Sequence, residues 1–159
     1  ILGIEDTFEF EVSPDIFVQS DLRTNVKNTY EVSRVRYYST IISVKQPNNL
    51  VKLDTNEIAR VKKIIVNQHS KTVDIVCVIC ETESVFHHLT EKCLDDDVLL
   101  DSIIHNFSDE SDSIVQIISS NSSTVVTRSV RSVNCSVASV PVNSQHILAV
   151  SMCHRFIHE

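Results

Sequence analysis

The sequence predicts a mainly β chain with two or three helices, an α+β fold, on three observations. Apolar and polar residues alternate with a period of two near the N-terminus. Four strand-like runs follow one another on short polar connections between Leu50 and Leu89. Between them, a spacing of three to four over residues 21–43 marks a long helix. A chain of 159 residues can build one good-sized core or two small subdomains sharing a seam. With 42% apolar residues and a mean hydropathy of +0.02, it has the balance of an ordinary globular protein.

Phe8, Phe10 and Val12 alternate with Thr7, Glu9 and Glu11, the pattern of a half-buried strand. Ser13-Pro14-Asp15 is turn chemistry, and Ile16 to Gln19 restarts an extended run, so a hairpin opens the chain. Leu22, Val26, Tyr30, Ser33, Tyr37, Ile41 and Val44 then line one face of a helix from Asp21 to Ser43. Gln46-Pro47-Asn48-Asn49 ends it. Leu50 to Leu53 is a short strand with Lys52 facing solvent, and Asp54-Thr55-Asn56 turns into a longer strand from Ile58 to Val66. After Asn67 to Ser70, the β-branched run Val73 to Cys80 is the central strand. Glu81-Thr82-Glu83 turns into Ser84 to Leu89, which completes a small barrel or curled sheet. An acidic stretch from Glu91 to Asp97 leads into a second helix that buries Leu99, Leu100, Ile103, Ile104 and Phe107. The remainder is extended: Ile114 to Ile118, Thr124 to Val130, Val133 to Val142 and Ile147 to Ile157, the last also compatible with a helix.

Composition excludes several functions. The chain has a single glycine, Gly3. Phosphate-cradling loops and the G-x-S-x-G nucleophile elbow need more, because only glycine lets the backbone take positive φ freely and approach a ligand closely. A net charge of −7 disfavours a nucleic-acid footprint. No run approaches the roughly 18–20 apolar residues of a membrane span. Ile1-Leu2-Gly3-Ile4-Glu5-Asp6 has no basic start and does not read as a signal peptide, and Ile1 marks a piece of a longer chain. Five cysteines without framework spacing suit free thiols in a reducing compartment, hence the cytoplasm. Sequons at Asn106, Asn121 and Asn134 belong to the rival reading, a secreted or viral β-sandwich ectodomain.

Cys77-Val78-Ile79-Cys80 invites a zinc or redox site, with His87, His88 and Cys93 as further ligands. On a strand, positions three apart point to opposite faces, so the two sulfurs diverge. Cysteine–histidine catalysis is the other rival; Cys153-His154 are neighbours in sequence, which is not what it requires. Asp95-Asp96-Asp97 with Asp101 lacks the alternation and glycine of a calcium loop and reads as a helix N-terminus. Arg60 and Lys62 share one strand face with Lys63 on the other. With Arg34, Arg36, Arg128 and Arg131 they are anchors for an acidic partner or solvated faces. The residues thus point to a binding module without cofactor, metal or catalytic set.

Two stretches resemble extended Tudor domains. Val12-Ser13-Pro14-Asp15-Ile16-Phe17-Val18-Gln19 looks like the family's opening V-x-S-P-x-x-F-x-V-Q, and Val76-Cys77-Val78-Ile79-Cys80-Glu81-Thr82-Glu83-Ser84-Val85 like a decayed F-I-D-Y-G-N-T-E-x-V. Ile58-Ala59-Arg60-Val61 stands in the place of W-Y-R-A. The resemblance implies one unit over residues 1–159: a Tudor-like barrel over 48–92, a nuclease-like subdomain from 1–20 and 108–159, and a linker helix over 21–46. It also implies a non-enzymatic scaffold of the piRNA pathway that binds a peptide, such as an Argonaute or PIWI tail, in cytoplasmic germ granules. The family's aromatic cage falls on Ile58, Val76 and Ile79, with Glu81 for the usual asparagine. An apolar set there implies an unmethylated peptide, with Glu81 meeting an arginine.

Overall fold

The computed structural model describes residues 8–20, 23–26, 29–84, 115–119, 124–143 and 146–152. The first hairpin is the one that the alternation predicts. β1 (Phe8–Ser13) and β2 (Ile16–Ser20) pair antiparallel around Pro14 and Asp15, with Phe10 opposite Val18. Val12, Ile16 and Val18 are buried while Glu9, Glu11 and Gln19 face solvent.

Residues 21–46 correct the expected linker helix, and with it the α+β class. They form β3 (Arg23–Val26), β4 (Thr29–Val32), β5 (Arg34–Tyr37) and β6 (Thr40–Ser43). Among the described residues the helical content is one 3₁₀ turn, Val130–Ser132. The physical reason is re-phasing. Within each short strand the period is two, but the bend at Ser33 and the turn at Tyr38-Ser39 reset it. Tyr30, Tyr37 and Val44, seven residues apart, therefore mimic a helical spacing, while Val32, Val35 and Ile42 face the same core two residues from each of them. The segment is also rich in β-branched and aromatic residues, which prefer a pleated surface.

The later strands fall close to expectation: β7 (Leu50–Leu53), β8 (Ile58–Asn67), β9 (Thr72–Ile79), β10 (Thr82–Ser84), β11 (Val115–Ser119), β12 (Thr124–Ser129), β13 (Val133–Pro141) and β14 (His146–Ser151). Glu81-Thr82-Glu83 is not a turn, since β10 starts at Thr82. The described part of the C-terminal run is a strand rather than a helix. The expected strand beyond Ser84, the acidic stretch and the helix over Leu99 to Phe107 lie outside the described residues, as does Cys153-His154.

β1, β2, β5 and β6 make a four-stranded sheet in the order β1-β2-β5-β6. The larger sheet runs β10-β11-β14-β13-β7-β8-β4-β3, with β9 on β8 and β12 on β9. β8 is its branching strand. β9 covers one edge along its length, while the other edge pairs first with β7 and then with β4. A bulge between Val61 and Lys63 marks the change. It also turns both Lys62 and Lys63 to solvent, where simple alternation would send Lys63 inward. At Ser33 the chain crosses from one sheet to the other, and Val44 N–H closes the corner on Ser33 O at 3.0 Å.

The larger core lies between the sheets and holds Val18, Val35 and Ile42 from one side and Val61, Ile64 and Ile75 from the other. A smaller core of Leu50, Ile58, Cys80, Ile118, Val137 and Ala149 sits where the larger sheet curls into a half-barrel. The curl follows from the order: β10 begins just after β9 and pairs with β11, which brings the far end of the path back beside β8. β7 serves both cores, so all four of its residues are buried. Lys52 is therefore buried instead of facing solvent, against expectation, because β8 and β13 flank its strand and each face has a core.

Candidate functional site

The Tudor-like positions come first. Ile58 is fully buried in the smaller core beside Cys80 and Ile118. Ile79 follows Ile75 and Cys77 in phase and packs against the larger core. Val76 is half-buried on the opposite face of β9, and Glu81 is exposed between β9 and β10. The four are divided between two faces and do not form one wall. Cys77 and Cys80 divide in the same way, Cys77 into the larger core and Cys80 into the smaller. Burial pushes both thiols up from their ordinary pKa, which suppresses the reactive thiolate. No three His, Cys, Asp or Glu side chains converge as a metal site among the described residues.

The structure instead gathers another set where the edge of the four-stranded sheet meets the ends of β7 and β13. An open cleft of about 420 Å³ lies there, lined by Tyr37, Tyr38, Ser39, Thr40, Asp54, Arg131, Val133, Asn134, Cys135 and Met152. That volume lies within the roughly 300–1,000 Å³ of small-ligand sites. Four local devices build it. The first is the tight turn between β5 and β6, where Tyr37 faces Thr40 and Tyr38 takes φ +54°. A bulky side chain at positive φ is strained. The Tyr38 N–H donates to Asp15 O at 2.9 Å and holds the turn against the first hairpin. The Tyr38 side chain is 67% exposed, and its ring lies 4.8 Å from that of Tyr37 at 56°.

The second device is the 3₁₀ turn. The Ser129 hydroxyl accepts from Arg131 N–H at 3.2 Å, and Ser132 Oγ donates back to Ser129 O at 2.6 Å. This aims Arg131 across the seam at Asp15, whose two carboxylate oxygens take both guanidinium nitrogens. The Arg131 guanidinium holds the Asp15 carboxyl well below the usual range, at about 2, with help from the Ser13 hydroxyl at 2.6 Å. Third, Asp54 N–H donates to Ser132 O at 2.7 Å, and the following turn closes through Asn56 at φ 72°. Fourth, the register of β13 on β7 shifts between Val133 and Cys135, so that Asn134 is the bulged residue beside the cleft. Met152, whose N–H donates to Ser136 O at 2.9 Å, completes the lining.

Sequence reasoning had these residues in other roles: Tyr37 on a helix, Asp54 in a turn, Arg131 in a basic group, Asn134 in a sequon. One signal was present. Arg34-Val35-Arg36-Tyr37 alternates charged and apolar residues, the period of a strand ending at Tyr38-Ser39. Compared with known proteins, the chain matches no family model, no curated protein and no solved structure.

Proposed function

We propose that the chain is a non-enzymatic protein-interaction module that captures a peptide of a partner protein in the Tyr38–Asp54–Arg131 cleft. The observation that carries the reading is the strained Tyr38: an aromatic side chain kept at positive φ and left exposed beside a cleft. Strain of that kind collects at binding and catalytic sites, since a glycine would relieve it wherever the side chain had no use. The lining favours recognition over chemistry. Its arginine, Arg131, is closed on Asp15, and its other groups are aromatic, hydroxyl, amide, thiol and thioether with one carboxylate, Asp54, the mixture of a binding surface. The extended Tudor resemblance supplies the biological setting of the proposal, a cytoplasmic scaffold of the piRNA pathway whose partner is an Argonaute or PIWI tail.

Peptide display on the intact chain tests the reading, with Argonaute N-terminal tails included as defined baits. Enriched peptides should bind wild type and lose binding to a folded Tyr38→Ala protein. If no peptide is enriched, or binding ignores Tyr38→Ala, the cleft is not a peptide site.

A further inference from the structure

Ser39 combines features that no other hydroxyl of the chain has together. No other serine or threonine has an arginine three residues before it; Ser39 has Arg36 there, and Arg34 five residues before it. It is exposed at the tip of the turn between β5 and β6, and its hydroxyl has no hydrogen-bond partner among the described residues. It also lines the cleft together with Arg131. The two upstream arginines are presented by their strand. Two residues apart on β5, they share its solvent face, and both are exposed. Across the strands they meet Phe17, Ile41 and Ser43 rather than a carboxylate, and Arg36 rests over the Phe17 ring at 5.3 Å. Neither forms an ion pair among the described residues. Their charges are therefore free for another protein to read, in fixed register with an exposed hydroxyl. That charge pattern suits a protein kinase with an acidic substrate groove.

We propose that Ser39 is a phosphorylation site of an arginine-directed serine/threonine kinase, and that the cleft receives the phosphate beside Arg131. In the transfer Ser39 Oγ bonds to the γ-phosphorus of ATP, and the bond from that phosphorus to the ADP oxygen breaks. A base of the kinase takes the hydroxyl proton. The product carries about −1.5 to −2 charge and three strong acceptor oxygens. Arg131 lies within electrostatic reach of Tyr37 and Tyr38, which lead into Ser39. Its bonds to Asp15 and Ser13 leave part of its N–H fork unused, and a phosphate can take those donors. Asp54, in the same lining, repels the phosphate and so keeps it on the Arg131 side. The site follows from the chain's own residues and stands whether or not the cleft binds a peptide.

The intact chain is incubated with Mg-ATP and a purified kinase catalytic domain that selects arginine three and five residues before its acceptor. Tandem mass spectrometry then places the phosphate. Ser39 should be the main site in the folded chain. Arg36→Gln and Arg34→Gln change exposed side chains only and should each slow the transfer about tenfold. Phosphorus NMR next follows the titration of the phosphoserine, ordinarily near pH 6. Arg131→Gln should raise that midpoint, whereas Asp15→Asn, which frees Arg131, should lower it. The two shifts are opposite in sign, so either variant decides the point if the other fails to fold. No phosphate on Ser39, modification of the unfolded chain alone, or a rate indifferent to both upstream arginines would overturn the site. A midpoint that ignores both Arg131→Gln and Asp15→Asn would overturn the placement of the phosphate.

Discussion

Tyr38 is where the scarcity of glycine becomes a structural fact. Among the described residues three positions take positive φ, and they are filled by Tyr38, Asn56 and Lys71. Asparagine accepts that region readily, whereas tyrosine pays about 1–2 kcal/mol for the approach of its Cβ to the carbonyl oxygen. Tyr38→Gly should therefore hold the stability of the domain or raise it by about 1 kcal/mol, after the entropy of a freer unfolded chain is subtracted. Urea denaturation measures this, and a clear loss of stability would show that the ring supports the fold. Asp15 supplies a second prediction at this scale. Its carboxyl, lowered from 3.8 to about 2 chiefly by the hydrogen bond from Arg131, is depressed in the folded state. The pair's contribution is then present above the unfolded value and lost as pH falls from about 4 to about 2. The gap in melting temperature between wild type and Asp15→Asn should be full at pH 5 and mostly lost by pH 2, where the folded carboxyl is half protonated. A gap undiminished at pH 2 would mean that another interaction of Asp15 is responsible.

Strand β8 carries the element-scale argument. Three partners hold it, and its bulge lets one strand serve both β7 and β4. Deleting Lys62 removes the extra residue while Val61 stays inward, Lys63 outward and Ile64 inward, so the protein should still fold. Deleting Ile65 shifts the following residues by one and turns Val66 out of the core, which should unfold it. Circular dichroism and a melting curve separate the two; equal outcomes would refute the assigned bulge. β9 lies between β8 and β12, and Ile75 is fully buried there in the larger core. Ile75→Ala should cost roughly 2–5 kcal/mol, because it loses transfer energy and leaves a cavity. Val125→Ala on β12, where the side chain is 62% exposed, should change stability by less than about 0.5 kcal/mol. An unmoved denaturation midpoint for Ile75→Ala would contradict the packing of β9.

At the scale of the whole molecule, two unequal cores share β7 and β8. The larger joins the two sheets, and the smaller fills the curl of β7, β8, β11, β13 and β14. The half-barrel edge made by β10 and β11 rests on the smaller core, so it should open locally at a lower free energy than the β8–β9 centre. Native-state hydrogen exchange should show faster exchange at Ile117 and Ile118 than at Ile64 and Ile75. Equal protection would mean that both cores open as one cooperative unit. The cleft lies at the seam of the two sheets, held by Tyr38 N–H on Asp15 and by Arg131 on the same residue. Its geometry depends on the sheets staying docked, which is the property of a rigid binding surface.

The strands from Leu50 to Ile79 were legible in the sequence as β-branched runs bounded by polar turn residues, and the opening hairpin by its alternation from Phe8 to Val12. Glycine poverty was legible as well, since it is pure composition. Residues 21–46 were misread for a physical reason: a bend and a tight turn re-phase four short strands, so their sum carries a helical spacing that belongs to none of them. Lys52 was misread because alternation tells which residues share a face and not whether a second core covers that face. The cleft was not legible at all. Tyr38, Asp54 and the stretch from Arg131 to Asn134 are far apart in the chain and carry no common motif; pairing of β13 with β7 and docking of the two sheets bring them together. Local periodicity determined most strands, whereas the site was decided by long-range pairing, which no window along the chain contains.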